Sequence, residues 1–292
     1  TAAYRNGETP NPCLVCNPSL KFGALLDEAR PLGASRLATG HYARVEGGPG
    51  TRYRLRRGVD ETKDQSYFLS RLSQDQLRNA RVPLGELTKD EVRAIARRNH
   101  LAPANRQESQ DICFIRETPY HVFLQHQEGF RIKEGLIEDT QGRVIGRHRG
   151  LHLFTIGQRR GIDCPAAEPY YVVRLDNARN CLIVGPRQEL SRHTCSVDDI
   201  NWINPPAFFP AEVHAQIRYR HKGAPARLTQ TSLATGYLKF ATPQDAITPG
   251  QGGVFYQGDE VLGGGGLFDH RRAFVLACCP HRTEGRSDDG GV

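Results

Sequence analysis

Two thiols stand close together in the run Asn11-Pro12-Cys13-Leu14-Val15-Cys16-Asn17. That spacing lets one loop present both sulfurs to a single metal or to each other, and the local setting can lower a thiol pKa. A structural zinc ion takes about four ligands, and Cys278-Cys279-Pro280-His281 near the C-terminus could supply the rest. The same pair also fits two inert thiols in a turn. A third cysteine, Cys113, follows the polar stretch Glu108-Ser109-Gln110-Asp111-Ile112 and precedes Phe114 and Ile115, neighbours that by themselves suit a core position. Lys63-Asp64-Gln65-Ser66-Tyr67-Phe68 places charged and amide groups at a helix start, where an anion binds favourably or where the helix is simply capped.

Basic and aromatic residues interleave twice. Leu151-His152-Leu153-Phe154-Thr155-Ile156-Gly157-Gln158-Arg159-Arg160-Gly161 suits contact with a phosphate backbone. Arg218-Tyr219-Arg220-His221-Lys222 reads as a strand exposing cations around an aromatic ring that could stack on an unpaired base. Either run is equally a solvated basic face. Gly263 to Gly266 lacks the Lys-Ser/Thr of a phosphate loop and reads as a turn or bulge.

Composition narrows the field. Lys and Arg number 39 against 32 Asp and Glu, a net charge of +7 that favours a polyanion such as nucleic acid as partner. The 292 residues are 38% apolar and 24% charged, which sets aside disordered and collagen-like classes. No uninterrupted apolar run nears the ~20 residues of a membrane helix. No charged segment followed by an apolar stretch opens the chain, so neither a membrane nor a secreted class is expected. Eight cysteines are sparse for a disulfide-stapled domain and fit a reducing cytoplasm, which turns attention to thiol or metal chemistry. The chain holds no Met, at position 1 included, so an N-terminal truncation or processing is expected.

The elements that must carry these residues change texture along the chain. Apolar Phe22, Leu25, Leu26 and Ala29 predict a helix over Lys21 to Ala29, stopped by Pro31 and Gly33. Arg36 to Gly40 reads as a short buried strand, and Ser66 to Asn79 as one helix. Thr88-Lys89-Asp90-Glu91 is a capping box that starts a helix running to about His100, with Val92, Ile95 and Ala96 inward. Such alternation points to an α/β layer with a largely parallel sheet. A helix over Pro119 to Gln125 follows. From there strands dominate: a hairpin over Gly135 to Ile145, a second made of Tyr170 to Leu175 and Cys181 to Val184, then Val213 to Arg220, Gly236 to Ala241 and Gly253 to Tyr256. The expected domains are 1–120, 121–198 and 199–275, with a polar, glycine-rich and disordered tail over 276–292.

Together these motifs make the chain recognisable. Asn11-Pro12-x-x-x-Cys16-Asn17, Ala38-Thr39-Gly40-His41-Tyr42, Lys63-Asp64-Gln65-Ser66-Tyr67-Phe68, Ile112-Cys113-Phe114, Gly157-Gln158-Arg159-Arg160-Gly161 and Thr248-Pro249-Gly250-Gln251 occur in the order seen in tRNA-specific 2-thiouridylases. The resemblance covers roughly residues 4 to 270. It implies an α/β, adenine-nucleotide α-hydrolase-like PP-loop domain with a parallel sheet, then a small β-rich central domain and a C-terminal β-barrel. The implied enzyme activates the C2 oxygen of a tRNA wobble uridine with ATP and replaces that oxygen with sulfur, taken from a sulfur-donor or relay protein.

By motif, Cys16 resembles the nucleophilic cysteine and Cys113 the one that receives persulfide sulfur, a pair implied to pass through a disulfide. Asn11 and Pro12 resemble the loop facing the target base, Gly40 an ATP contact, and His41 a neighbour of the RNA. Lys63, Asp64, Gln65, Arg218, Tyr219 and Gln251 look like tRNA contacts. The logic is chemical: adenylation makes a poor leaving oxygen a good one, a persulfide carries an acidic, nucleophilic terminal sulfur, and a second thiol must release it. Such chemistry predicts Cys16 and Cys113 in one cleft. The PP-loop itself, a Ser-Gly-Gly-x-Asp-Ser segment, is expected before Thr1; an alternative reading is a tRNA-binding remnant without activation chemistry. Position 13 is Cys where many family members carry Asp, so Cys13, Cys16 and Cys113 match a set that could hold a 4Fe–4S cluster with one iron open to sulfide.

Overall fold

The computed structural model describes residues 2–48, 50–101, 113, 115, 119–165 and 167–268. Among the sequence features above, Glu108 to Ile112, Phe114, the Cys278-Cys279-Pro280-His281 run and the tail over 276–292 lie outside the described residues.

After a short helix α1 (Ala2–Arg5), the chain enters α2 (Cys13–Cys16), whose start is shaped by Asn11: its side-chain oxygen accepts the Cys13 N–H at 3.1 Å. The helix then widens into a π-helical segment over Asn17–Ala24 before regaining α geometry in α3 (Leu25–Ala29). Gly23 leaves helical space at φ −104°, ψ −107°, and a Cβ there would lie 2.7 Å from the Pro18 carbonyl oxygen. The helix expected from Lys21 is therefore α-helical only from Leu25. Phe22 and Leu26 are buried, as the periodicity predicts, whereas Leu25 is 53% exposed. Gly33, at φ 89°, ends the turn that Pro31 cannot extend.

β1 (Leu37–Ala38) pairs in parallel with β4 (Ala80–Arg81), and between them β2 (Ala43–Glu46) and β3 (Arg54–Arg57) form a hairpin. The single helix expected over Ser66 to Asn79 is two, α4 (Ser66–Leu69) and α5 (Gln74–Asn79). Ser73 makes a reciprocal capping box with Gln76, and the break lets Leu69 and Leu72 both reach the core. The Thr88 capping box starts α6 (Lys89–Arg98) with Thr88 N–H to Glu91 Oε2 at 2.7 Å. Val92 and Ala96 are half-buried there, and Ile95 is on the exposed side.

α7 (Tyr120–Gln125) leads into β5 (Gly135–Asp139), β6 (Val144–His148), β7 (Tyr171–Asp176) and β8 (Cys181–Gly185). The two hairpins join through a parallel β5–β8 pair, giving the order β6-β5-β8-β7 over a core that includes Ile137, Phe154, Val172 and Leu182.

The remaining strands are β9 (Ser191–Trp202), β10 (Ala211–Gln216), β11 (Ala224–Gln230), β12 (Gly236–Asp245), β13 (Gly252–Gln257) and β14 (Glu260–Phe268). They run in the order β13-β10-β11-β12-β9-β14, and β13 pairs again with β14, closing a barrel around Val197, Ala215, Leu228, Leu238 and Phe255. Residue 198, expected at a domain boundary, lies inside β9. Gly263 to Gly266 is strand rather than turn: Cβ atoms at 263 and 265 would lie 2.4 and 2.2 Å from carbonyl oxygens of Asn201 and Asp198, so the glycines let β9 and β14 approach closely. Arg218 to Lys222 is likewise a turn, not a strand. His221 N–H bonds to the Arg218 carbonyl at 2.9 Å, and Gln216 Nε2 donates to the carbonyls of Arg218 and Tyr219.

Distant parts of the chain are stitched together through β14, which pairs with β3 at Glu260↔Arg56 and Val261↔Leu55, so the β2–β3 hairpin extends the barrel sheet. Asp259 accepts from Arg44 at 2.5 Å and from Arg56 at 2.7 Å across that seam. Among the described residues, no helix is long and apolar enough to cross a membrane.

Candidate active site at the seam of the α/β region and the barrel

A cleft of about 1530 Å³ opens where the cysteine helix, the β1–β2 turn, the loop before α4 and one end of the barrel meet. Cys13 and Cys16 reach it from α2, and Cys113 faces it from the opposite side in sequence. The sulfurs sense one another: burial raises the Cys13 pKa, the nearby Cys113 and Cys16 raise it further, and Lys21 opposes them. None of the three is in a disulfide, and neither are Cys164, Cys181 and Cys195. Cys195 is buried in the barrel, which pushes its pKa up to about 12 and leaves it inert at neutral pH.

The loop before α4 is organised by Asp64. Its carboxylate accepts from Arg57 Nη1 at 2.9 Å, Gly58 N–H at 3.0 Å, Ser66 N–H at 3.1 Å and Ser66 Oγ at 2.9 Å. Asp64 therefore anchors the loop that carries Lys63 and Gln65. Gln65 uses Oε1 to accept the Tyr42 N–H and its own N–H to reach the Tyr42 carbonyl, which ties this loop to the Gly40-His41-Tyr42 turn. Arg57 stacks over the Tyr256 ring at 3.7 Å.

His41 pairs one ring nitrogen with Thr39 Oγ1 at 2.8 Å. Burial and the Lys21 cation together lower its pKa to about 4, so it is neutral at physiological pH.

An aromatic floor completes the cleft. Phe68 and Tyr219 pack with ring centroids 4.3 Å apart, and Tyr67 lies against both. Burial holds the Tyr67 phenol protonated, and it bridges the backbone of Gly252, donating to the carbonyl and accepting the N–H, each at 3.1 Å. Asn17 donates Nδ2 to the Phe68 carbonyl at 2.9 Å, which locks α2 to α4.

Of the residues singled out in sequence, Asn11, Pro12, Cys13, Cys16, Gly40, His41, Lys63, Asp64, Gln65, Cys113, Tyr219 and Gln251 all line this one cleft. Arg218 does not; its guanidinium donates to the Asp245 carbonyl at 3.1 Å. Tyr219, read as an exposed stacking ring, is half-buried on Phe68. Sequence reasoning missed Lys21, Arg57 and Gln216. Lys21 follows Cys16 by five residues, which puts both on one side only because the intervening turn is π-helical.

Comparison with known proteins follows the same three-part division. Residues 1–117 match the family model described as a tRNA methyl transferase HUP domain, 121–186 a tRNA methyl transferase PRC-barrel domain and 192–267 an aminomethyltransferase beta-barrel domain. Proteins named tRNA-specific 2-thiouridylase MnmA align along nearly the whole chain. That of Desulfosudis oleivorans is 54% identical over 91% of this chain and 74% of its own length. Those of Moorella thermoacetica and Trichlorobacter lovleyi are 48% and 46% identical, each over 90% of this chain and 74% of their own lengths. The chain belongs to the tRNA-specific 2-thiouridylase family. The methyltransferase wording attaches to single domains, whereas the thiouridylase relatives match across all three, so the longer alignments decide. As a member of this enzyme family, the chain carries its HUP, PRC-barrel and β-barrel domains in one order, and the cleft forms where the first meets the last.

Proposed function

We propose that the cleft receives a flipped wobble uridine of tRNA and exchanges its C2 oxygen for sulfur. The observation that carries this reading is the convergence of Cys13, Cys16 and Cys113 with Lys21, Lys63, neutral His41 and an aromatic floor in one cavity. The volume of about 1530 Å³ admits a nucleotide and part of a second substrate. In this reading ATP, held near Gly40, adenylates the uridine O2 and releases pyrophosphate. A persulfide on Cys113, loaded by a sulfur-donor protein, attacks C2 with its terminal sulfur, and AMP leaves with the oxygen. The Cys16 thiolate then attacks the Cys113 sulfur, freeing 2-thiouridine and forming a Cys16–Cys113 disulfide that an external dithiol reduces. Asn11 and Pro12 border the base, and Lys63, Gln65 and Tyr219 border the RNA backbone. In this reading the protein works in the cytoplasm, where tRNA and ATP are both at hand.

Incubation with tRNA transcript, ATP and a persulfide donor should yield 2-thiouridine by mass spectrometry. Cys16→Ser and Cys113→Ser should each abolish it, and normal product from either variant would overturn the assignment.

A second reading rests on Cys13. Its thiol, with those of Cys16 and Cys113, is a donor set of the right type for a 4Fe–4S cluster, which when bound would supply an open iron to carry sulfide. Among the described residues, however, no three His, Cys, Asp or Glu side chains gather closely enough to hold a metal ion. The persulfide route needs no such gathering, and we favour it. Iron and inorganic sulfide near four each per chain in anaerobically prepared protein, lost in Cys13→Ala, would reverse that preference.

A further inference from the structure

Thr9, a residue of the first domain two positions before the cysteine loop begins at Asn11, is held by both of the other domains. Its N–H donates to the Pro249 carbonyl at 2.9 Å, and its carbonyl accepts Gln251 Nε2 at 2.6 Å, so a turn of the barrel takes both of its backbone polar groups. Its hydroxyl donates to Thr155 Oγ1 of the central domain at 3.2 Å. The turn is itself rigid. Gly250 N–H bonds to the Leu267 carbonyl at 2.9 Å, Leu267 N–H bonds back to the Gln251 carbonyl at 2.7 Å, and the buried Thr248 hydroxyl donates to the Ala246 carbonyl at 2.9 Å. Gly250 sits at φ 88°, and a Cβ there would lie 3.0 Å from Glu8 Cβ and 3.1 Å from the Thr9 backbone. The barrel touches the cysteine helix once more at Gly252, where a Cβ would lie 2.4 Å from Leu14 Cδ1.

We propose that Gln251 and the Thr248–Gln251 turn form a clasp on Thr9 that sets the position of the Asn11–Cys16 loop, making Gln251 a positioning residue for the reactive thiols. Anything that grips the barrel and the central domain together, as a tRNA spanning both would, bears on the cysteine loop through Thr9. Thr155 supplies the second arm of the clasp.

Hydrogen exchange on the whole chain tests the clasp without relying on the sulfur-transfer reading. Gln251→Ala should speed exchange in the peptide covering residues 9–16 by about fivefold, the loss of one hydrogen bond, with the barrel strands unaffected. Thr155→Val should act on the same peptide, more weakly. In the thiolation assay, which does rest on the reading above, Gln251→Ala should lower kcat by a larger factor than it raises KM for tRNA. Unchanged exchange in residues 9–16 with weakened tRNA binding would overturn the proposal and return Gln251 to the RNA surface. Faster exchange spread evenly through the barrel would overturn it as well, since Gln251 would then support the fold at large.

Discussion

Asp64 illustrates how a residue in a functional motif can act by holding others. Its side chain is only 6% exposed, and its carboxylate oxygens receive four donors from Arg57, Gly58 and Ser66. A buried carboxylate so occupied has little left for a ligand, whereas Lys63 and Gln65 on either side line the cleft. Asp64→Asn keeps the shape but replaces one acceptor oxygen with a donor facing donors, and leaves the Arg57 cation without its partner. It should cost about 3 kcal/mol of stability in urea denaturation. Stability within a few tenths of wild type, with tRNA affinity reduced instead, would show that Asp64 contacts RNA directly. His41 works by the opposite device, since burial and Lys21 keep it uncharged.

At the scale of elements, the cysteine helix owes its placement to what packs on it. Leu14, between the two cysteines, is buried against Tyr67 and the barrel, while Val15 beside it is 60% exposed. The π-helical turn after Cys16 then swings Lys21 back over the cleft. Gly252 makes the fit possible, because any side chain there meets Leu14 Cδ1 and the Tyr67 hydroxyl, the latter at 3.0 Å. Gly252→Ala should destabilise the protein by about 2 kcal/mol through overpacking. The same substitution in a Leu14→Ala background should cost clearly less, because the space it needs has been opened. Equal costs in the two backgrounds, measured by denaturation, would show that Leu14 is not what Gly252 accommodates.

For the molecule as a whole, charge and architecture combine. Two acidic groups of the cleft are paired internally, Asp64 with Arg57 and Asp259 with Arg44 and Arg56, whereas Glu61 is exposed. Arg220 and Lys222 at its rim and Arg159 and Arg160 on the central domain are exposed, with no ion pair among the described residues. The net charge of +7 is thus presented as usable cations. Binding of tRNA should weaken steeply with salt, and Arg220→Ala should reduce the slope of log K against log salt by about 0.7 to 0.9, one phosphate's worth of released counterion. Arg218→Ala should lower that slope by less, because the Asp245 backbone carbonyl holds one of its guanidinium N–H groups away from the rim. A filter-binding titration over salt concentration reads both; a slope lost at Arg218 and kept at Arg220 would invert the assignment.

Short-range chemistry was legible in the amino-acid order. The Thr88–Glu91 capping box, the Gly33 stop and the two central hairpins depend on neighbours a few residues apart, and they form where that order predicts. That Cys16, Cys113, His41 and Gln65 belong together was legible through the resemblance of their motifs, and all four line the cleft. What each one does was decided at long range. Ser66 to Asn79 is helix-forming throughout, yet it breaks because burying Leu69 and Leu72 together outweighs one more helical turn. Arg218 to Lys222 has strand-like alternation, but Gln216 claims its carbonyls and turns it. Gly263 to Gly266 looks like a loop and is a strand because the barrel brings β9 to within contact distance of its backbone. Gln251 is separated by 242 positions from the Thr9 carbonyl it holds. Local order specifies turns and caps through nearby hydrogen bonds, while closure of the barrel, which no local pattern encodes, chose the partners that make those residues a site.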